Sequence, residues 1–520
     1  MLILTQPQFL IMSLFKSNII LLIASCLIIT IQSCNPAKAP QKETPNVIIF
    51  LSDDQGWGDM GINGNDLIRT PVLDQMAGNG ASFDRFYVSP LCAPTRASLL
   101  TGKYFLRTGT SWVSKGLENM NTDEVTFAEI FKDAGYATGC FGKWHNGAHY
   151  PQNAIGQGFD EFLGFSAGHW SNYFNTSLEH NGKMVKTSGY ITDVLTDAAL
   201  EFIDKNKDQP FLCYVPYNVP HSPHQVPDQY FNYYKNAGLD DELAAIYGMV
   251  ENMDFNIGRV QDKLKELGLE ENTIVIFLSD NGPNGHRYNG GMKGIKGSVH
   301  EGGVRVPFYI KWLGKIQAGT KVESMGAHID LLPTLADLCN IQLPENLPID
   351  GKSLKPEILG EKTSTDRVLF EVTSREVIQP SPGAVRTRQY RMVVENKDTL
   401  LYDLDKDPEQ HQDISHEHPE LVAEYAANYN KWYNQVKPEN QEPSSIPLGY
   451  SEAPEVTLPA YEAKFTGKIK FEEGHGWAHD WLKNWVSTSD SIFWEIEVAE
   501  AGEYEVILLY TCPQKNTGLP

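Results

Sequence analysis

The chain has 520 residues, a formal net charge of -23 and 41% hydrophobic residues. A chain of this length has room for about two to four domains with a large apolar core. The acidic balance disfavours nucleic acid and anionic membrane surfaces as partners, so any anion site has to be built locally from Lys, Arg and His.

Lys16 precedes an apolar run, Ile19 to Ile31, which is followed by Gln32-Ser33-Cys34 and the polar tract NPAKAPQKETP. A basic start, an apolar middle and small residues at the end describe a secretory signal. Cys34, directly after Ser33, resembles a bacterial lipoprotein processing site. Cys26 is a rival lipidation site, and Met12 an alternative start. Residues 1–34 are therefore expected to be a signal and 35–44 a linker. The protein is expected to be exported, as an outer-membrane lipoprotein facing the periplasm or the cell surface, or else as a soluble periplasmic protein. Membrane contact is expected only through the N-terminal lipid, because the run is short for a spanning helix. Cys92, Cys140, Cys213, Cys339 and Cys512 remain, an odd and widely spaced set that makes no disulfide framework. Cys140, Cys213 and Cys339 lie in apolar patterns and read as core.

From Asn46 onward apolar runs alternate with helix-period segments. Buried strands are expected at Val47 to Leu51, Ala137 to Phe141, Phe211 to Pro216, Thr273 to Leu278 and Val306 to Trp312. Amphipathic helices are expected at Val125 to Ala134, Thr192 to Lys205, Asp240 to Leu267 and Leu331 to Leu338. This alternation predicts an α/β fold, a mostly parallel sheet sandwiched by helices, over residues 45–358. Residues 359–440 read as a smaller α+β subdomain, with strands at Val368 to Thr373 and Tyr390 to Glu395 and a helix at Pro419 to Val436. A linker at 441–456 leads to a β-rich accessory segment, 457–520, with strands at Lys468 to Phe471, Ile492 to Val498 and Tyr504 to Tyr510.

The first four strands end in polar clusters: Ser52-Asp53-Asp54-Gln55, Gly142-Lys143-Trp144-His145, Pro220-His221-Ser222-Pro223-His224 and Ser279-Asp280-Asn281-Gly282. Ligands of open α/β sheets bind at the carboxyl ends of strands, so these clusters can converge on one site. Asp53, Asp54, Asp280 and Asn281 offer hard oxygens that suit Ca2+ or Mg2+ rather than Zn2+, although each pair alone is an ordinary turn dipeptide. An extended chain would put Lys143 and His145 on one side. His221 and His224 sit on a proline-stiffened loop and lack the helical spacing of a zinc protease. Lys293 and Lys296 lie in a glycine-rich loop that lets backbone approach a ligand. Cys92 precedes a helix starting near Pro94-Thr95, with Arg96 one turn on. Those amides and Arg96 would bind an anion and lower a thiol pKa. A thiolate phosphatase is one reading, but its Cys and Arg are six positions apart, not four. As a thiol, Cys92 would also be a soft atom among hard carboxylates, where an oxygen would fit.

The run CAPTRASLLTG, Cys92 to Gly102, resembles the signature of the type I sulfatases of the alkaline-phosphatase superfamily, C-x-P-S/T-R followed by a small residue and S-L-x-T-G. PNVIIFLSDDQGWGD, GKWH, the P-H-x-P-H loop, LSDNG, K-G-S-x-x-E-G-G-V-R-x-P and LYDLxxDPxE follow the family's order, so the resemblance spans about Pro45 to Ser415. It implies that a separate formylglycine-generating maturation enzyme converts Cys92 to formylglycine. It also implies that Asp53, Asp54, Asp280, Asn281 and the modified Cys92 hold one Ca2+. In that family scheme the aldehyde hydrate attacks sulfur with Asp280 as base, and Arg96 and Lys143 orient it. Lys143, Lys296 and Ca2+ neutralise the sulfate. His221, with Lys296, protonates the leaving alcohol, and His145 takes the proton that regenerates the aldehyde. His224, His286 and Arg287 are weaker substrate-binding candidates, with Tyr288, and Trp170 and Tyr173 are possible stacking platforms for a sugar. The expected substrate is a sulfated polysaccharide or its oligosaccharides, with marine algal glycans such as ulvan, carrageenan or fucoidan ahead of host glycosaminoglycans. The rivals are a phosphate or phosphonate monoester hydrolase of the same superfamily and a non-catalytic surface glycan-binding lipoprotein with unmodified Cys92.

Overall fold

The structure, a computed structural model, describes residues 44–361, 366–373, 375–439 and 442–511. The expected signal, Cys26, Cys34 and Cys512 lie outside these residues. No helix among the described residues is long and apolar enough to cross a membrane.

The strand Asn46–Ser52, NVIIFLS, is buried along its whole length because it pairs on both edges and is covered on both faces. Its period-two alternation sorts it between two cores: Val47, Ile49 and Leu51 face one, Ile48 and Phe50 the other. It is central to a ten-stranded sheet in the order Thr320–Val322, Ala81–Phe83, Phe308–Lys311, Thr273–Ser279, Asn46–Ser52, Phe211–Pro216, Ala137–Lys143, Glu161–Phe165, Ser177–His180, Lys183–Lys186. The strands from Thr273–Ser279 to Glu161–Phe165 are all parallel, so their carboxyl ends share one edge. Phe308–Lys311 and the hairpin Ser177–His180/Lys183–Lys186 add antiparallel pairs toward the flanks.

Helices cover both faces, which makes a three-layer sandwich. Cys92–Thr101, Phe127–Asp133 and Leu331–Leu338 pack on the Val47 side, Ile191–Lys205 and Asp241–Glu266 on the Ile48 side. The expected strand Val306 to Trp312 is broken at Pro307, which lacks an N–H for a ladder, into Arg305–Val306 and Phe308–Lys311.

A second, four-stranded antiparallel sheet runs in chain order through Leu369–Val372, Gly383–Arg386, Tyr390–Glu395 and Asp398–Asp403, followed by the helix Pro419–Val436. Buried Glu301 joins it to the first domain through Arg386 at 2.9 Å and Arg391 at 3.0 Å. Burial opposes the Glu301 charge, yet Arg386, Arg391 and Arg305 outweigh it and bring the pKa down to about 2.

The C-terminal segment departs most from expectation. Part of the expected linker forms the strand Ile446–Leu448, which pairs in parallel with Ile496–Val498. The remaining pairs are two residues long, Lys464–Phe465 with Ile492–Phe493 and Lys470–Phe471 with Leu482–Lys483. The expected strand Tyr504 to Tyr510 does not form. Its alternating pattern has no partner among the described residues, and it stays exposed.

Candidate active site

The parallel register brings the polar clusters together. Ser52 is level with Ser279, and the Asp280 N–H donates to the Ser52 carbonyl at 3.1 Å. The Asp53 N–H donates to the Val219 carbonyl at 3.0 Å, which places the loop bearing His221 beside the Asp pair. Lys143 arrives from the end of Ala137–Lys143. The preceding Gly142 has φ +149°, and a Cβ there would lie 2.0 Å from the Pro216 carbonyl oxygen. Only glycine lets the two strand ends approach so closely.

Cys92 is the first residue of the helix Cys92–Thr101, which therefore starts two residues earlier than Pro94. All ten residues of that helix are buried. The Thr95 hydroxyl donates to the Ser89 carbonyl at 3.0 Å and ties the approach loop to the helix. One oxygen each of Asp53 and Asp280 lies within 4.8 Å of the Cys92 sulfur. The expected lowering of the thiol pKa does not occur. Burial pushes the Cys92 thiol up, and Lys143 and Lys296 do not overcome it. A thiol held protonated is a poor nucleophile, which, with the four-residue spacing of Cys92 and Arg96, weighs against the thiolate phosphatase reading.

Asp53, Asp54 and Asp280 are formally matched by Arg96, Lys143 and Lys296. Lys143 Nζ is 2.7 Å from Asp53 Oδ2, Lys296 Nζ is 2.6 Å from Asp54 Oδ1, and Arg96 Nη2 is 2.8 Å from Asp280 Oδ2. Arg96 Nη1 also donates to the Lys143 carbonyl at 2.6 Å, so this fully buried guanidinium fixes two walls at once. Burial works against ionisation of Asp53, but Lys143, His221, Arg96 and Lys296 hold its carboxyl below the usual range. Burial likewise disfavours the Lys296 charge, but Asp54 dominates and raises its pKa. Asp280 is the exception. Burial and Asp53 push it up to about 7 against the pull of Arg96.

The donor set fits the implied Ca2+. Asp53 Oδ1, Asp54 Oδ2 and Asn281 Oδ1 are buried oxygens with no hydrogen-bond partner. Asn281 Nδ2 donates to Asp54 Oδ1 at 2.9 Å, which fixes the amide with its oxygen left over. Uncompensated buried oxygens are costly, and a hard cation answers them. It would also relieve the repulsion between Asp53 and Asp280.

Two histidines are set in defined tautomers by carbonyl acceptors. His145 Nε2 donates to the Val113 carbonyl at 2.9 Å, which leaves buried Nδ1 as an unpartnered acceptor. Burial first, then Lys143, holds its pKa well below the usual value. His145 does not share a side with Lys143 by strand alternation, because its φ of +61° ends the extended chain. His221 Nδ1 donates to the Ser222 carbonyl at 2.6 Å, and Nε2 lies 3.8 Å from Asp54 Oδ2. The Tyr173 hydroxyl meets the carbonyls of His221 and Ser222, each at 3.0 Å, so Tyr173 braces this loop and is itself buried.

Other expected residues fall outside this cluster. His224 Nδ1 lies 3.7 Å from Glu242 and lines a hollow of about 450 Å³ with Phe174 and Phe231. His286 is exposed. Arg287 is bound by Asp59 at 2.6 Å and by the Asp54 carbonyl at 2.9 Å, so it holds the loop after Asp54 in shape instead of reaching outward. Lys293 donates to the Tyr402 hydroxyl at 2.9 Å. Sequence reasoning missed His169, whose ring is 5.9 Å from that of His221. A lone His after Gly168 carries no signal in the sequence.

The family profile "Sulfatase" matches residues 45–341, and "N-sulphoglucosamine sulphohydrolase, C-terminal" matches residues 295–434. N-acetylgalactosamine-6-sulfatase of Canis lupus familiaris is 34% identical over 382 residues, 66% of this chain and 71% of its own length. Arylsulfatase A of Homo sapiens is 33% identical over 437 residues, 74% of this chain and 83% of its own length. A crystal structure of Ps i-CgsB in complex with k-i-k-neocarrahexaose superposes with a TM-score of 0.72 at 31% identity, covering 76% of this chain and 94% of that one. Strand order, the converging strand ends and these likenesses agree: the chain belongs to the sulfatase family and is a sulfuric ester hydrolase.

Proposed function

We propose that this sulfatase removes sulfate from sulfated polysaccharide fragments, with galactan oligosaccharides of the carrageenan kind as the first candidates and ulvan next. The likeness to a structure that holds a neocarrahexaose supports the substrate class. The single observation that carries the chemistry is the set of unpartnered oxygens of Asp53, Asp54 and Asn281 beside Cys92, enclosed by Arg96, Lys143 and Lys296. Asp53, Asp54, Asp280 and Asn281, with position 92, would hold the Ca2+. When present, Ca2+ supplies positive charge to the sulfate, and formylglycine at position 92 supplies a hydrated aldehyde oxygen as nucleophile.

The chain's own residues do the rest. Lys143 and Lys296 bind sulfate oxygens and keep the ester anion inside an otherwise acidic protein. Arg96 holds Asp280 and the Lys143 backbone in place for attack. His221 faces the solvent-accessible side, with its side chain 14% exposed, and Nε2 delivers a proton to the leaving alcohol. His145 Nδ1, fixed as an acceptor, receives the proton that frees sulfate. The N-terminal pattern around Cys34 supports an exported, lipid-anchored enzyme that meets polysaccharide outside the cytoplasm.

The test is sulfate release from a panel of desalted carrageenan, ulvan, fucoidan and glycosaminoglycan oligosaccharides. Release from at least one of them is expected. Hydrolysis of phosphate or phosphonate monoesters in preference to every sulfated sugar would overturn the reading.

A further inference from the structure

The segment beyond residue 434 lies outside both family matches, yet it reaches the mouth of the catalytic centre. The cluster opens to solvent at His221 and Lys296, whose side chains are 14% and 16% exposed, while the carboxylates beneath are closed off. His169 stands beside His221 at that opening. From the C-terminal segment, His479 Nε2 donates to the His169 carbonyl at 3.0 Å. The His479 ring meets Trp170 edge-on, with centroids 4.8 Å apart. Trp170 is itself fixed, stacked on Phe165 and donating to the Thr176 hydroxyl at 2.8 Å.

The loop that carries His479 is held in shape. Its ends pair as Lys470–Phe471 with Leu482–Lys483. Buried Asp480 accepts the N–H groups of Glu473, Gly476 and Trp481 at 3.1, 3.0 and 2.9 Å. His479 takes φ +69°, a left-handed conformation uncommon for a residue with a side chain and frequent where function holds it. On its other side the loop rests on Lys115, whose Nζ lies 5.7 Å from the centre of the Phe471 ring. Lys115 is two residues from Val113, the acceptor that fixes His145. The hairpin thus runs from the support of one catalytic histidine to the neighbour of the other.

This hairpin leaves large indoles in water. Trp477 and Trp481 are 52% and 64% exposed, and Trp485, just beyond the hairpin, 55%. Trp477 is stacked with His475, ring centroids 4.7 Å apart, which fixes its orientation. Single exposed aromatics need no explanation, but several exposed indoles on a stiff loop whose His479 is bonded to His169 mark a binding surface. The contacts from His479 to His169 and from His169 to His221, the proton donor to the leaving group, say what covers it.

We propose that the hairpin 470–483, through His479, Trp477 and Trp481, forms the subsite for the sugars flanking the sulfated one on the leaving-group side. This rests on the carbohydrate-sulfatase reading above. The indole faces stack on sugar rings, and His479, bonded to the His169 carbonyl, fixes the hairpin against the catalytic opening. The segment is then a length-selecting wall of the active site.

The test compares the full-length, matured enzyme with the single variants Trp477→Ala, Trp481→Ala and His479→Ala. Substrates are an oligosaccharide ladder from disaccharide to hexasaccharide and 4-nitrophenyl sulfate. The expected result is a KM for the hexasaccharide raised about tenfold, the size of a lost aromatic contact. The loss on 4-nitrophenyl sulfate should be several-fold smaller, the advantage of hexasaccharide over disaccharide should shrink, and kcat should change little. Equal losses on both substrates, or no change on the hexasaccharide, would overturn the subsite and leave the carbohydrate reading intact. A variant that differs from wild type only in oligomeric state by sedimentation would assign the indoles to a second copy of the chain and equally overturn it. Wild-type enzyme that cleaves 4-nitrophenyl sulfate but no oligosaccharide would overturn the carbohydrate reading, and the subsite with it.

Discussion

The carboxyl edge of the main sheet and the C-terminal hairpin meet at one opening and are built by opposite means. At the edge, seven-residue strands run side by side, and Asp53, Arg96 and Asp280 are wholly buried. In the hairpin, paired strands are two residues long and the indole of Trp481 is 64% exposed. The edge sets its charges by ion pairs in a dry interior. The hairpin sets its shape by one buried carboxylate, Asp480, that gathers backbone N–H groups. Group transfer needs donors and charges that do not move, so its residues hang from long parallel strands. Recognition of a polymer needs apolar surface that water can reach until the ligand arrives, and short stiff turns suffice for that.

The comparison breaks most visibly if the edge loses its implied cation. Chelation followed by desalting is expected to lower sulfate release by about 10³-fold, the scale of several kcal/mol of charge stabilisation. Added Ca2+ should restore it, and hairpin variants should leave that Ca2+ dependence unaltered. The next largest effect is expected from His221→Ala, roughly 10²-fold in kcat on a sugar sulfate and much less on 4-nitrophenyl sulfate, whose leaving group needs no proton. Equal losses on the two esters would contradict His221 as proton donor.

A third prediction concerns the support behind the edge. Glu301→Gln leaves buried Arg386 without its carboxylate and Arg391 with only Glu371, 3.5 Å away, and is expected to cost about 3 kcal/mol in urea unfolding. The sign of the pH effect follows from the shift. Glu301 is held at about 2 in the fold against an ordinary 4.5, so its contribution is complete above pH 4.5 and is lost as pH falls through 2. The wild type should therefore lose stability into acid more steeply than the variant.

The smallest effect is expected at the hinge between the two regions. His149 Nε2 pairs with buried Glu462 Oε2 at 2.8 Å, and burial together with Glu462 pushes nearby Glu118 up to about 8. His149→Ala leaves Glu462 facing Glu118 without its partner. Limited proteolysis should then cut the C-terminal segment sooner, with a rise in KM for oligosaccharides and turnover of 4-nitrophenyl sulfate reduced less than about threefold.

The edge was legible in the sequence because each buried strand is an apolar run that stops at a polar cluster, and parallel pairing puts such stops on one side. Asp53, Asp54, Asp280 and Asn281 converge for that reason, and Cys92 joins them from the start of the helix Cys92–Thr101. Side-chain direction was less legible. Lys143 and His145 obey no common alternation, because a positive φ at His145 turns the chain. Arg287 looked available in a loop, yet Asp59, far away in sequence, holds it. The C-terminal segment was nearly illegible. Tyr504 to Tyr510 alternates like a strand but has no pairing partner among the described residues. The contact of His479 with His169 joins irregular segments 310 positions apart, where neither periodicity nor spacing carries information.

If the oxygen-rich edge works as proposed, position 92 carries an oxygen where the gene encodes sulfur. Mass spectrometry of the proteolytic peptide containing Cys92, taken from enzyme that is releasing sulfate at full rate, tests it directly. The account predicts the mass of an aldehyde in place of the thiol. An intact thiol throughout a fully active sample would contradict it.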